Sequence, residues 1–463
     1  MTVWWPPSID RRGREAGAAS LLAVPSDRPA TGRLRPPSSK SLTHRALALA
    51  LLARRRTVVH RPLQAEDTEL FLAALATLGF RCAPVGDGLD AGMADGLDAG
   101  LEILPPAAFP ATAELFCGNA GTMFRFLVAI AATLPGRWRI DGVARLRERP
   151  IRPLTEALQR LGVVIDFAGR EGHAPLVVHG GRLRGGRIQL DASASSQYLS
   201  ALLLAGQCGE SALEIEVPEL ASAPYVGLTL DMIERFGGRV EAAAADRWVA
   251  HPSVLRPTEV EIEADFSAAA YPAAAAALTG GTVRIDGIAQ RSRQGDRRLF
   301  DLLAAMGAGI AWGDDFATVT GGSGGSGGAG LVAIDADLGD IPDQVPTLAA
   351  LAPFARGTTC IRNVAHLRIK ESDRLAAMTS ELRRAGAEVE ELADGLVIPG
   401  HWAEREPPSF PAFIDPHGDH RIAMAMALVG LRRPNLQIAD PACVGKSYPD
   451  FWRDLARLLA VTA

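Results

Sequence analysis

The chain has 463 residues, of which 48% are hydrophobic and 22% charged, and its formal net charge is −5. That length suggests two to four ordinary domains with sizeable cores, and the mild negative charge excludes a global pull toward nucleic acid or an anionic membrane. Five scattered cysteines (Cys82, Cys117, Cys208, Cys360, Cys443) form no CxxC pair, which argues against a disulfide framework or zinc ribbon and fits a reducing, cytoplasmic setting, while no apolar run reaches the roughly 18 residues of a membrane span.

The first twenty residues carry Arg11, Arg12 and Arg14 and no apolar stretch, so they read as an N-terminal extension rather than a signal peptide. Beyond them the chain runs through one cycle six times. A polar loop opens an apolar helix, a short β-type run follows, and a second loop opens a second helix before more strand. The β-type runs begin near Thr57, Arg137, Ala212, Thr282, Thr359 and Leu436, at intervals between 70 and 80 residues by subtraction. The second helices are predicted at Glu66–Leu78, Arg152–Leu161, Tyr225–Phe236, Arg297–Met306, Ser372–Ala385 and Tyr448–Leu459. Five of them run into Gly79, Gly162, Gly237, Gly307 and Gly386, as a left-handed C-terminal cap favours. Two low-complexity pieces, Asp87–Gly100 and Gly321–Gly330, read as loops. Helices alternating with β runs in units of about 75 residues imply a layered α/β architecture.

The loops that open the helices are rich in anion-binding residue types. They are Ser38–Arg45, Cys117–Arg125, Ser193–Tyr198, Ile341–Asp343 and Gly418–Arg421, with Arg147–Pro150, Ser222–Tyr225, Leu367–Arg374 and Gly445–Tyr448 before the second helices. Free N–H groups and the positive end of the dipole make a helix N-terminus an anion site, and Lys or Arg adds charge there. Helix capping accounts for Ser, Thr, Asn or Asp in any one loop. It does not account for cations recurring at Lys40, Arg45, Arg125, Arg149, Lys370, Arg374, Arg421 and Lys446, which suit a substrate with several anionic groups. Leu367–Arg374 packs three cations and two anions into eight residues, and Lys370 and Arg374, four apart, are expected on one face of a helical turn. An exposed helix start with internal ion pairs is the plain alternative for that run. His417-Gly418-Asp419-His420 lacks the spacing of a helical ligand pair and has no evident third ligand, so no metal is expected. No P-loop, dinucleotide fingerprint or GxSxG elbow occurs.

Together these loops resemble the 5-enolpyruvylshikimate-3-phosphate synthase family, the 3-phosphoshikimate 1-carboxyvinyltransferases. Counterparts of PGSKSxxxRAL, GNAGTxxR, RERPI, SSQ(Y/F)LSALL, IPD, KE(S/T)DR, DHRxAM and KS(F/Y)P occur in order between residues 37 and 449. The resemblance implies an α/β fold of two similar domains, each of three βαβαββ repeats, with the active site in the interdomain cleft. It implies domain I from residues 21–37 plus 263–463 and domain II from 38–262. The implied reaction transfers the enolpyruvyl group of phosphoenolpyruvate to the 5-hydroxyl of shikimate 3-phosphate and releases phosphate through a tetrahedral intermediate. It belongs to aromatic amino-acid biosynthesis and needs no metal or organic cofactor. A cytoplasmic monomer acting on small molecules, with no nucleic-acid or membrane partner, is expected.

By the same resemblance Asp343 is the hydroxyl-side base, Glu371 the proton donor to carbon, and Lys40 the cation nearest the reacting centre, sharing the proton work. Phosphoenolpyruvate is assigned to Lys40, Gly121, Arg125, Arg149, Arg374, Arg421 and Lys446. Shikimate 3-phosphate is assigned to Ser41, Arg45, Ser195, Ser196, Gln197, Ser222, Tyr225, Asp343 and Lys370. Neighbouring cations are expected to lower the pKa of Glu371, in tension with a donor role. The sequence departs from the family at Ser38, where Gly is usual, at His44 and His366, where Asn is frequent, and at Phe126, where many members have Pro. Ser38 and Phe126 bear on the response to glyphosate, which competes in the phosphoenolpyruvate site. Two other readings compete. One is the sister enolpyruvyl transferase acting on UDP-N-acetylglucosamine, which uses a loop Cys that Cys117 does not match. The other is a non-catalytic anion-binding repeat protein, which would need neither Asp343 nor Glu371.

Overall fold

The computed structural model describes residues 21–24, 28–85, 100–322 and 330–460. The expected extension 1–20, and most of the low-complexity pieces Asp87–Gly100 and Gly321–Gly330, lie outside the described residues. The chain divides into two compact units. An inserted unit comprises Ser38–Glu263, and a discontinuous unit comprises Ala264–Ala463 with the chain up to Pro37.

The inserted unit holds helices α1 (Lys40–Ala53), α2 (Glu66–Thr77), α3 (Gly121–Ala131), α4 (Ala144–Glu148), α5 (Arg152–Arg160), α6 (Gln197–Gly206) and α7 (Pro224–Arg235). The discontinuous unit holds α8 (Phe266–Thr279), α9 (Arg298–Ala305), α10 (Val345–Leu351), α11 (Arg374–Arg384), α12 (His420–Gly430) and α13 (Phe451–Leu458). Within the inserted unit α1, α3 and α6 pack on one another, and α8, α10 and α12 do so in the discontinuous unit. These six are apolar round nearly their whole circumference, as their buried residues show. Such helices gain stability only by being surrounded, at roughly 1.5–3 kcal/mol for each large apolar side chain removed from water. The second helices instead bury one face, with α5 hiding Leu154 and Leu158 while Arg152 and Arg160 stay outside.

Each of the six predicted β runs becomes the second strand of its own sheet. In the inserted unit the strands Thr57–His60, Gly136–Asp141 and Leu213–Glu216 each pair parallel on one side and antiparallel on the other. In the discontinuous unit Thr282–Asp286, Thr358–Arg362 and Leu436–Ala439 do the same. Alternation along these strands puts the apolar set on the helices. In Leu213–Glu216, for example, Leu213 and Ile215 are buried opposite Ala250 and Trp248. Three edge strands come from remote chain. Thr258–Glu261 joins Thr57–His60, Gly32–Leu34 joins Thr282–Asp286, and Leu21–Ala23 joins Leu436–Ala439.

The five glycines predicted to end helices all have φ between +76° and +105°. In this region a Cβ is costly, so the chain turns there and nowhere earlier. Helix starts depart from the sequence expectation in physically readable ways. The sixth second helix begins at Phe451, not Tyr448, because Pro449 disfavours helical backbone in the residue before it. The fourth opens as a 3-10 turn at Gly295–Arg297 before α9, and the third begins one residue early, at Pro224. The fifth begins at Arg374 rather than Ser372, since Asp373 acts as N-cap and accepts from Ala376 N at 3.1 Å. Lys370 therefore does not share a helical turn with Arg374. It follows a 3-10 turn, Ala365–Ile369, in extended backbone.

Candidate active site

In the discontinuous unit the starts of three helices, α10, α11 and α12, carry the charged set. Asp343 lies in the 3-10 turn Pro342–Gln344 that runs into α10. Arg374 opens α11 and is fully buried. Its Nε and Nη2 donate to the two oxygens of Asp419 at 2.8 and 3.2 Å. Nη1 donates to Asp343 Oδ1 at 2.8 Å, and Nη2 also donates to Glu371 Oε2 at 2.9 Å. One guanidinium thus gathers three carboxylates, using the planar fork that Lys lacks. Asp419 is wholly buried, caps α12 through Arg421 N at 3.0 Å, and also accepts from Ser372 Oγ at 3.0 Å. Arg421, one residue into α12, donates Nη2 to Asp343 Oδ2 at 2.8 Å.

These contacts decide the protonation states. Burial alone would raise the pKa of Asp343, but Arg421, Arg374 and Lys370 outweigh it and hold the carboxyl well below the usual carboxylate range. Burial works against the charge on Arg374, yet Asp419, Glu371 and Asp343 raise its pKa above the ordinary arginine value. His366 is lowered to about 4 by burial and by Lys370, against the pull of Asp343, so its imidazole is neutral near pH 7. Asp296, behind the start of α8, is raised to about 6 by burial and by the charge of Asp343. It also accepts a hydrogen bond from Ser267 Oγ. Tyr271 of α8 is raised to about 12 by burial and stays protonated beside Arg421 and Arg374. Lys446 ends the 3-10 turn Pro441–Lys446 and is buried.

The charge run Leu367–Arg374 splits into two roles. Arg368 points away from the carboxylate cluster. It meets Asp373 and Glu391 at 3.2 and 2.6 Å and donates to the carbonyls of Leu392 and Ala393. That is the ordinary ion-pair reading. Glu371 and Arg374 belong to the buried cluster instead.

In the inserted unit Lys40 opens α1, with its Nζ 3.2 Å from Asp67 Oδ2 in the first turn of α2. Arg45, one turn on, is buried and donates to Thr229 Oγ1, Ser41 O and Tyr225 O, each at 2.8 Å. Those acceptors are all neutral, and burial lowers its pKa to about 10, still leaving it charged. Its guanidinium also faces the Phe126 ring at 5.5 Å, which gives the unusual Phe126 a packing role. His44 packs edge-on against Phe71 at 5.5 Å. Gly121 opens α3, and a Cβ there would stand 2.5 Å from Arg149 Nη2. The missing side chain is what lets that guanidinium lie against the helix start. Arg149 Nη1 donates to Asn119 O at 3.3 Å.

Arg125 Nη1 donates to Gln197 Oε1 at 2.9 Å, and Gln197 Nε2 donates to Thr122 Oγ1 at 3.0 Å, linking α3 to the start of α6. Ser195 and Ser196 are buried just before that helix, and Ser195 Oγ accepts from Gln197 N at 3.3 Å. Ser222 is buried at φ +54° before α7, and Tyr225 is the second residue of that helix. The inserted unit thus brings together Lys40, Ser41, Arg45 and Tyr225 around α1 and α7, and Gly121, Arg125, Arg149 and Gln197 around α3. Cys117 is buried, and burial pushes its thiol well above the usual range.

Sequence reasoning missed the counter-ions. Asp67, in the first turn of α2, pairs with Lys40, and Asp419, considered in the sequence as part of the loop Gly418–Arg421 and of His417-Gly418-Asp419-His420, pairs with Arg374. Asp296 had no signal at all. Among the described residues no group of three or more His, Cys, Asp or Glu could hold a metal ion. Among them too, no helix is long and apolar enough to cross a membrane.

A family model for EPSP synthase (3-phosphoshikimate 1-carboxyvinyltransferase) matches residues 25–455. The 3-phosphoshikimate 1-carboxyvinyltransferase of Nitrosomonas europaea is 41% identical over 445 residues, covering 94% of this chain and 98% of its own. That of Thiobacillus denitrificans is 42% identical over 445 residues, covering 95% and 99%. Among solved structures, an EPSP synthase from Acinetobacter baumannii aligns with a TM-score of 0.74 at 26% identity, covering 94% of this chain and 97% of that one. The enolpyruvyl transferase NikO from Streptomyces tendae, at 19% identity and a TM-score of 0.72, shares the fold.

Proposed function

The chain belongs to the EPSP synthase family, and from that premise we propose how its own residues divide the work. The enzyme transfers the enolpyruvyl group of phosphoenolpyruvate to the 5-hydroxyl of shikimate 3-phosphate and releases phosphate. The observation that supports the division best is the sharing of Asp343 between Arg374 and Arg421, with Glu371 on the same guanidinium as Asp343.

In this proposal Asp343 takes the proton of the attacking hydroxyl and Glu371 delivers one to the methylene carbon, so that a tetrahedral intermediate forms; a proton of the resulting methyl group then returns to Glu371 as phosphate leaves, which restores the carbon–carbon double bond. With both arginines on it, Asp343 is too weak a base for that step. The anionic groups of phosphoenolpyruvate compete for Arg374 and Arg421. As they draw the guanidinium charge away, Asp343 becomes more basic, so the base is activated only when the donor substrate is bound. Arg374, Arg421 and Lys446 from the discontinuous unit and Lys40, Gly121, Arg125 and Arg149 from the inserted unit take phosphoenolpyruvate. Ser41, Arg45, Ser195, Ser196, Gln197, Ser222 and Tyr225, with Asp343 and Lys370, take shikimate 3-phosphate. The neutral acceptors of Arg45 support this, since a buried cation whose hydrogen bonds among the described residues go to uncharged oxygens has the most to gain from a phosphate. Neutral His366 would add a hydrogen bond rather than a charge beside Lys370. We further propose a monomer working in the cytoplasm without nucleic acid.

The alternative acceptor, UDP-N-acetylglucosamine, is not favoured by the family match. A coupled phosphate-release assay with phosphoenolpyruvate and each acceptor tests the reading. Release is expected with shikimate 3-phosphate alone, and equal release with both acceptors overturns it.

A further inference from the structure

One face of α11 grips the turn that precedes α12 at both of its ends. Arg374 starts the helix and holds Asp419. Glu381, seven residues on, projects from the same face two turns below, about 10 Å along the axis. Its side chain is wholly buried. Glu381 Oε2 accepts from Asp415 N at 3.0 Å and lies 3.5 Å from Arg384 Nε. Its Oε1 meets His417 Nε2 at 3.1 Å and accepts from Ser380 Oγ at 3.2 Å. His417 N in turn donates to Asp415 Oδ1 at 2.7 Å, and Asp419 N donates to Pro416 O at 2.9 Å.

The turn needs this grip. His417 and Gly418 are consecutive at φ +54° and +63°, and His417 has a Cβ in a backbone region that L-residues avoid. A turn that costs free energy locally persists only where its surroundings over-determine it. We propose that Glu381 and His417 are positioning residues, holding the Asp415–Gly418 turn so that Asp419 meets Arg374 and the first turn of α12 presents Arg421. Neither side chain touches the three-carboxylate cluster itself. The effect on phosphoenolpyruvate rests on the reading of Arg374 and Arg421 as its ligands.

Three variants separate the side chain from the backbone. His417→Gly removes the imidazole but suits φ +54° better than any other residue. His417→Gln keeps a donor of similar reach. Glu381→Gln keeps the acceptor for Asp415 N while losing the charge. Steady-state kinetics with phosphoenolpyruvate and shikimate 3-phosphate are measured alongside melting temperature and amide exchange at residues 415–421 of the unliganded protein. His417→Gly is expected to melt no lower than wild type, yet to raise KM for phosphoenolpyruvate roughly 5–10-fold, the scale of one well-placed hydrogen bond. Its kcat should stay within about twofold, and exchange at 415–421 should rise. His417→Gln should restore both, and Glu381→Gln should follow His417→Gly. An unchanged KM and unchanged exchange in His417→Gly would overturn the proposal, as would equal loss in His417→Gly and His417→Gln. Wild-type protein inactive with this substrate pair would sink the functional reading alone, and the exchange measurement would still decide the grip.

Discussion

Arg374→Ala is the sharpest perturbation the structure offers. The variant removes a guanidinium that serves Asp419 twice, Asp343 once and Glu371 once, and it is itself 1% exposed. Asp419 would keep Ser372 Oγ and Arg421 N but lose its cation, while wholly buried. Breaking a buried pair by removing one partner costs about 3–5 kcal/mol, because the remaining charge stays desolvated. For a unit of this size 1 kcal/mol moves a melting temperature by roughly 2–4 °C, so the transition should fall by roughly 6–20 °C. The pH dependence gives the sign. In wild type Asp343 is held below its unfolded pKa, so its contribution is complete above the usual carboxylate range, near pH 4, and is lost as pH falls through the folded value. In the variant the stranded carboxylates shift upward, so their penalty is largest at neutral pH and is relieved as they protonate. Differential scanning calorimetry between about pH 7.5 and 4.5 should show the gap between the two proteins narrowing on acidification. Arg374→Lys should recover part of the loss, since one ammonium cannot reach all three carboxylates. A variant melting within about 2 °C of wild type, or a gap independent of pH, would refute the cluster as the source of stability.

Asp343→Asn and Glu371→Gln should each fold and lose at least ~10²-fold in kcat, the lower end of acid–base effects; near-normal phosphate release in both would remove the proposed proton route. Gly121→Ala should raise KM for phosphoenolpyruvate by ~10-fold or more with little change in melting temperature. The new Cβ displaces the flexible end of Arg149 rather than backbone, and an unchanged KM would take Arg149 out of the binding set. Shikimate 3-phosphate at a hundred times its Kd should stabilise the protein by about 2.7 kcal/mol, read as a rise in melting temperature, and no rise would count against that acceptor.

Local chemistry accounts for what was legible in advance. Gly79, Gly162, Gly237, Gly307 and Gly386 end helices because only their backbone accepts positive φ cheaply, and that preference is a property of the residue. The β runs from Thr57 to Leu436 alternate or cluster apolar residues over four to six positions, and they become strands whose buried sets follow the same order. Motif residues at helix starts were legible for the same reason, since a loop-to-helix junction is written within four or five residues. The pairing of Lys370 with Arg374 on one turn failed because it assumed helical backbone from Lys370 onward. Asp373 was instead the better cap, and three residues before it stayed out of the helix.

Which charges meet was settled at longer range. Arg374 finds Asp419 across 45 residues, Asp343 across 31, and Arg421 finds Asp343 across 78, while Lys40 finds Asp67 across 27. No periodicity spans those separations, because each pair depends on how separate helix starts pack together within a unit. Residue order was enough to place Lys40, Arg374 and Arg421 at helix starts, and the family resemblance of those loops is what proposes Asp343 and Glu371 as the acids. The folded unit alone puts Asp343 between two arginines and gives Arg45 neutral oxygens as its hydrogen-bond acceptors. Coulomb energy depends on distance and burial, and neither exists until the chain has closed on itself.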